Sequence, residues 1–224
     1  VSRGYGYLIR LTSAVLLAGA VYASTRPEAS LGVALPALAL AVLTVSGLAG
    51  LRRARRDDVD PEPVWDLIAG GVGLAGLLVH VGVTYDPVAL ALLRAAVGSL
   101  FLGTLTCGML LGHWYLLQPG MTRAPLIELV WLLVFLWPIE LAAQLWPTGM
   151  TSVLSGDIND GSGGLLGWFW IGCVVLTLAL VIVTRLALRE RQYEAVMAAT
   201  GLLYLAILTG FGMDLISRAL LGTA

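Results

Sequence analysis

Seven apolar stretches, each close to the length that crosses a bilayer, occupy most of this 224-residue chain. A hydrocarbon core of about 30 Å needs roughly 20 apolar helical residues for each crossing. Backbone placed in hydrocarbon must satisfy its own hydrogen bonds, as a helix does. The sequence therefore predicts an all-α, polytopic integral membrane protein built as a seven-transmembrane-helix bundle.

The predicted spans form one seven-helix transmembrane domain over residues 1–224. Turns rich in charge, proline or glycine separate them, as at 25–28 and 118–120. The longest loop, 147–164, is expected to be an ordinary flexible connector. The spans cover about 5–24, 31–51, 65–84, 88–117, 124–146, 165–188 and 193–221.

Composition narrows the classes of partner and cofactor. Charged residues make up 12% of the chain, about half the usual fraction for soluble domains. The net charge of −1 argues against a nucleic-acid partner, so we expect lipids and other membrane-protein subunits instead. Two cysteines are too few for a disulfide framework or a four-thiolate metal site. The chain has no lysine, which excludes a retinal Schiff base.

The arginines predict the orientation, because cytoplasmic loops carry the excess of positive charge. Ten arginines fall on the side of the N-terminus and three on the other side. We therefore expect a cytoplasmic N-terminus and an external C-terminus in a multi-pass protein of the cell (plasma or inner) membrane. The three external arginines are Arg26, Arg94 and Arg218.

Small residues predict where helices approach closely, since hydrocarbon gives helices no hydrophobic drive to associate. The third span carries Gly70, Gly71, Gly73 and Gly76, and the fourth span carries Gly108 and Gly112. The expected tightly packed centre lies between these two spans.

Ionisable residues inside a bilayer are costly and usually face the bundle interior. Counting from the turns places four of them, from four helices, at one external level, with Gln144 and Tyr85 nearby. Arg94 would compensate one of the two carboxylates, and His80 would exchange protons with them. The predicted external polar pocket consists of His80, Arg94, Glu140 and Asp214.

The alternative to a shared pocket is that Arg94 extends its side chain to the external interface and Asp214 caps a frayed helix end. Depth follows from the sequence, but the face of the helix that each residue occupies does not. The two interpretations stay open at this point.

A second polar group lies near the cytoplasmic face, where the fourth span ends. An imidazole beside an aromatic pair and an arginine is the kind of site that a quinone or lipid head group would use. The alternative is a structural hydrogen bond for His113 and an interfacial role for the aromatic rings. The predicted cytoplasmic-side pocket consists of His113, Tyr115, Arg123 and Glu128.

The two histidines are too far apart to share a haem. His80 precedes the turn at Asp86 by six residues and His113 follows it by 27. Their levels therefore differ by about 20 residues, or roughly 30 Å. We expect no haem, no covalent cofactor and no metal, and a quinone and lipids are the candidate ligands.

The leading functional hypothesis is a subunit of a multi-protein, respiratory or redox, complex that seats a quinone or guides protons without redox centres of its own. Such a subunit would be non-catalytic or quinone-reactive rather than a free-standing enzyme, and no catalytic residue is assigned. The first alternative is a small transporter of protons or solutes, and the second is a structural scaffold subunit.

Overall fold

A computed structural model describes residues 3–24, 64–84, 87–118 and 120–221 of the chain. Within these ranges the protein is helical and has no strand, which confirms the all-α class. The second predicted span, 31–51, lies outside the described residues. The helices are α1 (Arg3–Ser24), α2 (Val64–Thr84), α3 (Val88–Leu117), α4 (Ala124–Leu145), α5 (Gly149–Leu154), α6 (Leu165–Ala187) and α7 (Tyr193–Leu221).

Four of the described helices, α3, α4, α6 and α7, are long and apolar enough to cross a membrane. The apolar segments of α1 and α2 are shorter, at Tyr5–Gly19 and Gly70–Val79. The six-residue helix α5 lies inside 147–164, where we expected only a flexible connector. A helix this short has too few residues to show an apolar period in the sequence.

The chain divides into two compact units, Val1–Ala96 and Val97–Ala224. The prediction of a single domain over 1–224 stays a prediction. In the first unit, Arg10 of α1 and Val81 of α2 are buried, whereas Gly70 and Gly71 are exposed.

The second unit packs α4, α6 and α7 around an apolar interior, with α5 against all three. The pair α6 and α7 has the most extensive contact. Gln144 meets Trp170 near one end of α4, and Trp131 meets Arg185 near the other, so α4 and α6 run antiparallel. Fully buried side chains of this interior are Phe101, Leu105, Leu133, Val181, Leu203 and Met213.

Glycines set the contact between α3 and α7. A methyl group added to Gly108 would lie 3.9 Å from Leu203, and one added to Gly112 would lie 2.8 Å from the Thr200 hydroxyl. On α7, a methyl group at Gly210 would lie 2.5 Å from Leu105. The glycines of the fourth predicted span therefore face the seventh span, whereas we had expected them to pack against the third.

Replacement of Gly112 by alanine should lower the thermal unfolding midpoint of the purified protein. The added methyl group would lie 2.8 Å from the Thr200 hydroxyl and 3.3 Å from the Thr200 methyl group, and overpacking of this kind costs about 1–3 kcal/mol. Gly103→Ala is the matched control on α3, since its methyl group would meet nothing within 4 Å. Equal midpoints for the two variants would contradict the close packing of α3 on α7.

Asp160 organises the loop that leads into α6. Its carboxylate accepts hydrogen bonds from the backbone N–H groups of Ser162, Gly164 and Leu166, each at 2.9 Å. The Ser162 hydroxyl donates a further bond at 2.8 Å. Hydrogen bonds from the Gly164 and Ser162 backbone hold the pKa of Asp160 well below its usual range. The ionised carboxylate thus fixes the start of α6.

The depressed pKa of Asp160 predicts a loss of stability in acid. Its contribution is fully present above the ordinary aspartate pKa of 3.8 and is lost as the pH falls further toward the folded-state value. Asp160→Asn should therefore lower the unfolding midpoint at neutral pH, and its difference from the wild type should shrink in acid. Asp157→Asn, whose carboxylate accepts a bond from the Ser155 hydroxyl, is the control. A difference for Asp160→Asn that stays constant with pH would refute this role.

Candidate functional site

Two carboxyl side chains lie in the interior of the second unit. Glu140 is 2% exposed and Asp214 is 7% exposed. Each continues the buried row of its own helix: Glu140 follows Leu133 and Leu136 on α4, and Asp214 follows Gly210 and Met213 on α7. The helical spacing of three and four residues that buries the apolar side chains thus turns these carboxyls inward as well.

Glu140 is oriented by a chain of two hydrogen bonds. The Trp170 indole N–H donates to Gln144 Oε1 at 2.8 Å, and Gln144 Nε2 donates to Glu140 Oε1 at 2.7 Å. An indole only donates, so it fixes the direction of the Gln144 amide. Oε1 of Glu140 is therefore occupied as an acceptor.

The second carboxyl oxygen of Glu140 has different surroundings. Oε2 is buried and has no hydrogen-bond partner among the described residues. A polar atom buried in this way is costly, and a buried charge costs more. Glu140 interacts with Asp214 and Arg218, the charged groups beside it. Oε2 is thus the position on this carboxyl where a proton would relieve the cost of burial.

Arg218 pairs with Asp214 one turn along α7. Its Nε lies 2.7 Å from Asp214 Oδ2, and its side chain is 43% exposed against 10% for Asp214. The guanidinium therefore stands between the buried carboxyls and one end of the unit.

The three charged groups converge where α3 has no side chain. A methyl group added to Gly98 would collide with the Arg218 guanidinium. It would also lie 3.1 Å from Asp214 Oδ1 and 3.5 Å from Glu140 Oε1. We call the five side chains that build this site the Glu140 cluster: Glu140, Gln144, Trp170, Asp214 and Arg218.

The described residues include only some members of the predicted external pocket. Glu140 and Asp214 both face Gly98 in the second unit. Arg94 and His80 both belong to the first unit. The side chain of His80 and the whole of Tyr85 lie outside the described residues. Asp214 lies inside α7 (Tyr193–Leu221) rather than capping its end.

Sequence reasoning missed two members of the Glu140 cluster. Arg218 pairs with Asp214 at a separation of four residues, a spacing that brings helical side chains together. That signal was present in the sequence. Trp170 reaches Gln144 from another helix, 26 residues away, and no spacing rule predicts such a contact.

The predicted cytoplasmic-side residues engage separate partners at the opposite end of the second unit. His113 Nδ1 lies 3.1 Å from the Tyr204 hydroxyl, and the two rings meet edge to face. The Tyr115 hydroxyl donates to the carbonyl of Thr122. Glu128 is exposed on α4.

Arg123 joins two turns at this end. It donates to the carbonyls of Glu190, Arg191 and Gln192 at 2.6, 2.7 and 2.9 Å. These bonds tie the start of α4 to the turn between α6 and α7, so Arg123 serves as a structural clamp in this unit.

Neither a metal site in the described part of the chain nor a known relative indicates a function. Among the residues described, no group of three or more His, Cys, Asp or Glu side chains is placed to hold a metal ion. No protein-family model, curated protein or solved structure matches the chain. The basis for a functional proposal is therefore the geometry of the Glu140 cluster.

Proposed function

We propose that this chain is a multi-pass protein of the cell (plasma or inner) membrane that binds an exchangeable proton at the Glu140 cluster. In this proposal it is a non-catalytic or quinone-reactive subunit of a respiratory or redox complex, and the electron carriers belong to its partner subunits. The observation that carries the proposal is the buried, unpartnered Oε2 of Glu140 beside Asp214 and Arg218.

Exposed apolar side chains support a lipid environment. Phe135, Trp168, Leu208 and Leu215 are each 66–71% exposed on helices of the second unit. Such side chains would contact lipid tails or the apolar surfaces of other subunits. Lipids and membrane-protein subunits are accordingly the proposed partners.

Arginine distribution supports an orientation. Arg123, Arg185, Arg189 and Arg191 gather at the end of the second unit that carries His113, opposite Arg218. By the positive-inside rule, we propose that the His113 end lies in the cytoplasm. The C-terminal end of α7 would then be external.

Charge balance supports a bound proton. The Glu140 cluster contains two carboxyl groups and one guanidinium. With both carboxyls ionised, the cluster itself would carry one net negative charge, and a buried charge that is not paired costs several kcal/mol. A single proton on Oε2 removes that charge and gives the oxygen a hydrogen to donate to Asp214. Because a carboxylic acid can release and rebind its proton, the proton on Oε2 would be exchangeable.

Reduction of a quinone consumes protons, which a proton-binding site could supply. Reduction of a quinone to a quinol takes two electrons and two protons; the electrons would come from partner subunits and the protons through this chain. The imidazole of His113 and the hydroxyl of Tyr204 are 3.1 Å apart at the opposite end of the unit and are the proposed contacts for a lipid head group.

Removal of the Glu140 carboxyl tests the proposed role in a redox complex. In the complex purified with a mild detergent, we expect bound quinone and a quinone turnover that falls roughly 100-fold in Glu140→Gln, as for loss of a proton-transferring group. Glu128→Gln, an exposed change on the same helix, should keep full turnover. Absence of bound quinone, with unchanged turnover in Glu140→Gln, would refute the proposal.

A proton or solute transporter is the second candidate. The observation that favours it is that one unit of one chain supplies every member of the Glu140 cluster. Proteoliposomes that contain only this chain would distinguish the two functions. Proton flux that depends on Glu140 would indicate a transporter, whereas a redox subunit would be silent there. If polar substitutions lower assembly and leave rates unchanged, the chain is a scaffold.

A further inference from the structure

We infer that the proton of the Glu140 cluster enters and leaves through one end of the second unit only, the end that carries Arg218. This inference rests on the proposed function, because it concerns the route by which the proposed proton exchanges. It adds a direction to that function: the site is loaded from the side of the membrane that the loop 155–164 faces.

The exposed fraction of the charged side chains rises from Glu140 toward Arg218. Glu140 is 2% exposed, the Asp214 side chain is 10% exposed, and the Arg218 side chain is 43% exposed. The Arg218 side chain thus reaches the surface of the unit near the end of α7, and it contacts Asp214 at 2.7 Å. The ion pair connects the buried carboxyls with solvent or with the membrane interface at that end.

A layer of apolar side chains separates the Glu140 cluster from the end of the unit that carries His113. Phe101 and Leu105 of α3 pack on Gly210, one helical turn from Asp214. Neighbouring helices complete the layer with side chains that are 0% exposed, Leu133, Val181 and Leu203. Fourteen residues of α7 separate Asp214 from Thr200, where Gly112 contacts α7; this is about 21 Å of helix. Along this distance the described helix segments 99–112, 129–139, 171–184 and 200–213 carry no carboxyl or imidazole side chain.

Buried hydroxyl groups lie within the apolar layer, and on α3 the Thr104 hydroxyl donates to the Leu100 carbonyl at 2.7 Å. The Thr177 hydroxyl donates to the Thr209 hydroxyl at 2.8 Å, and Thr209 donates to the Ala206 carbonyl at 3.2 Å. Both hydroxyl hydrogens are thus committed within the protein. The pair joins α6 to α7, and we infer that it does not conduct the proton.

The charged groups that face Glu140 in this unit come from α7 alone. They are Asp214 and Arg218. On α6 the Trp170 indole contacts Gln144, and on α3 Gly98 lies against the charged groups. Exchange of the Glu140 proton should therefore depend on the ion pair at the Arg218 end.

Carbodiimide labelling across sealed vesicles tests this direction. Dicyclohexylcarbodiimide adds to a protonated carboxyl to form an acylisourea that rearranges to an acylurea, so all atoms of both reactants stay in the adduct. Its rate at Glu140, followed by mass spectrometry, reports how much of the carboxyl is protonated. Phosphatidylcholine vesicles with the full chain would be buffered separately inside and outside. An impermeant maleimide on Asp157→Cys would identify the side that the loop faces.

The expected result is that labelling of Glu140 changes up to about tenfold per pH unit on the loop side and stays constant when the opposite side is varied. Thr177→Val should show the same sidedness. Equal dependence on both sides, dependence on the opposite side, or loss of sidedness in Thr177→Val would overturn the inference while leaving the proton site in place. A labelling rate at Glu140 that is independent of pH on both sides would overturn the proposed function itself.

Discussion

The burial of two carboxyl groups beside one partly exposed guanidinium is the constraint on which the rest of the second unit depends. Glu140, Asp214 and Arg218 come from two helices and meet at a glycine of a third. A charge in that interior is tolerated only when it is paired and hydrogen-bonded. The positions of α3, α4 and α7 are therefore linked by chemistry as well as by packing, and α6 joins them through Trp170.

Small residues make this arrangement sterically feasible. At Gly98 the absence of a side chain leaves room for the Arg218 guanidinium, and at Gly112 it leaves room for Thr200. The same contact that packs α3 against α7 thus also creates the space for the charged groups. Between these positions Phe101 and Leu105 fill the interior with apolar side chains. The unit consequently keeps its two polar ends apart.

Sequence reasoning predicted the helices well and the side-chain partners poorly, for a physical reason. Apolar length identifies helices such as α4 and α6, and residue counting along them gives the depth of Glu140 and Asp214. Rotation about a helix axis depends on tertiary packing, so the contact between Trp170 and Gln144 could not be predicted. The short helix α5 was missed because six residues carry no periodic signal.

Infrared spectroscopy of the purified full chain can detect the proton that we propose Glu140 holds inside the folded protein. We expect the carbonyl stretching band of a protonated carboxylic acid at neutral pH, a shift of that band in heavy water because the proton exchanges, and its loss in Glu140→Gln. Glu128→Gln should retain the band. A spectrum without this band, or a band that persists in Glu140→Gln, would contradict the account.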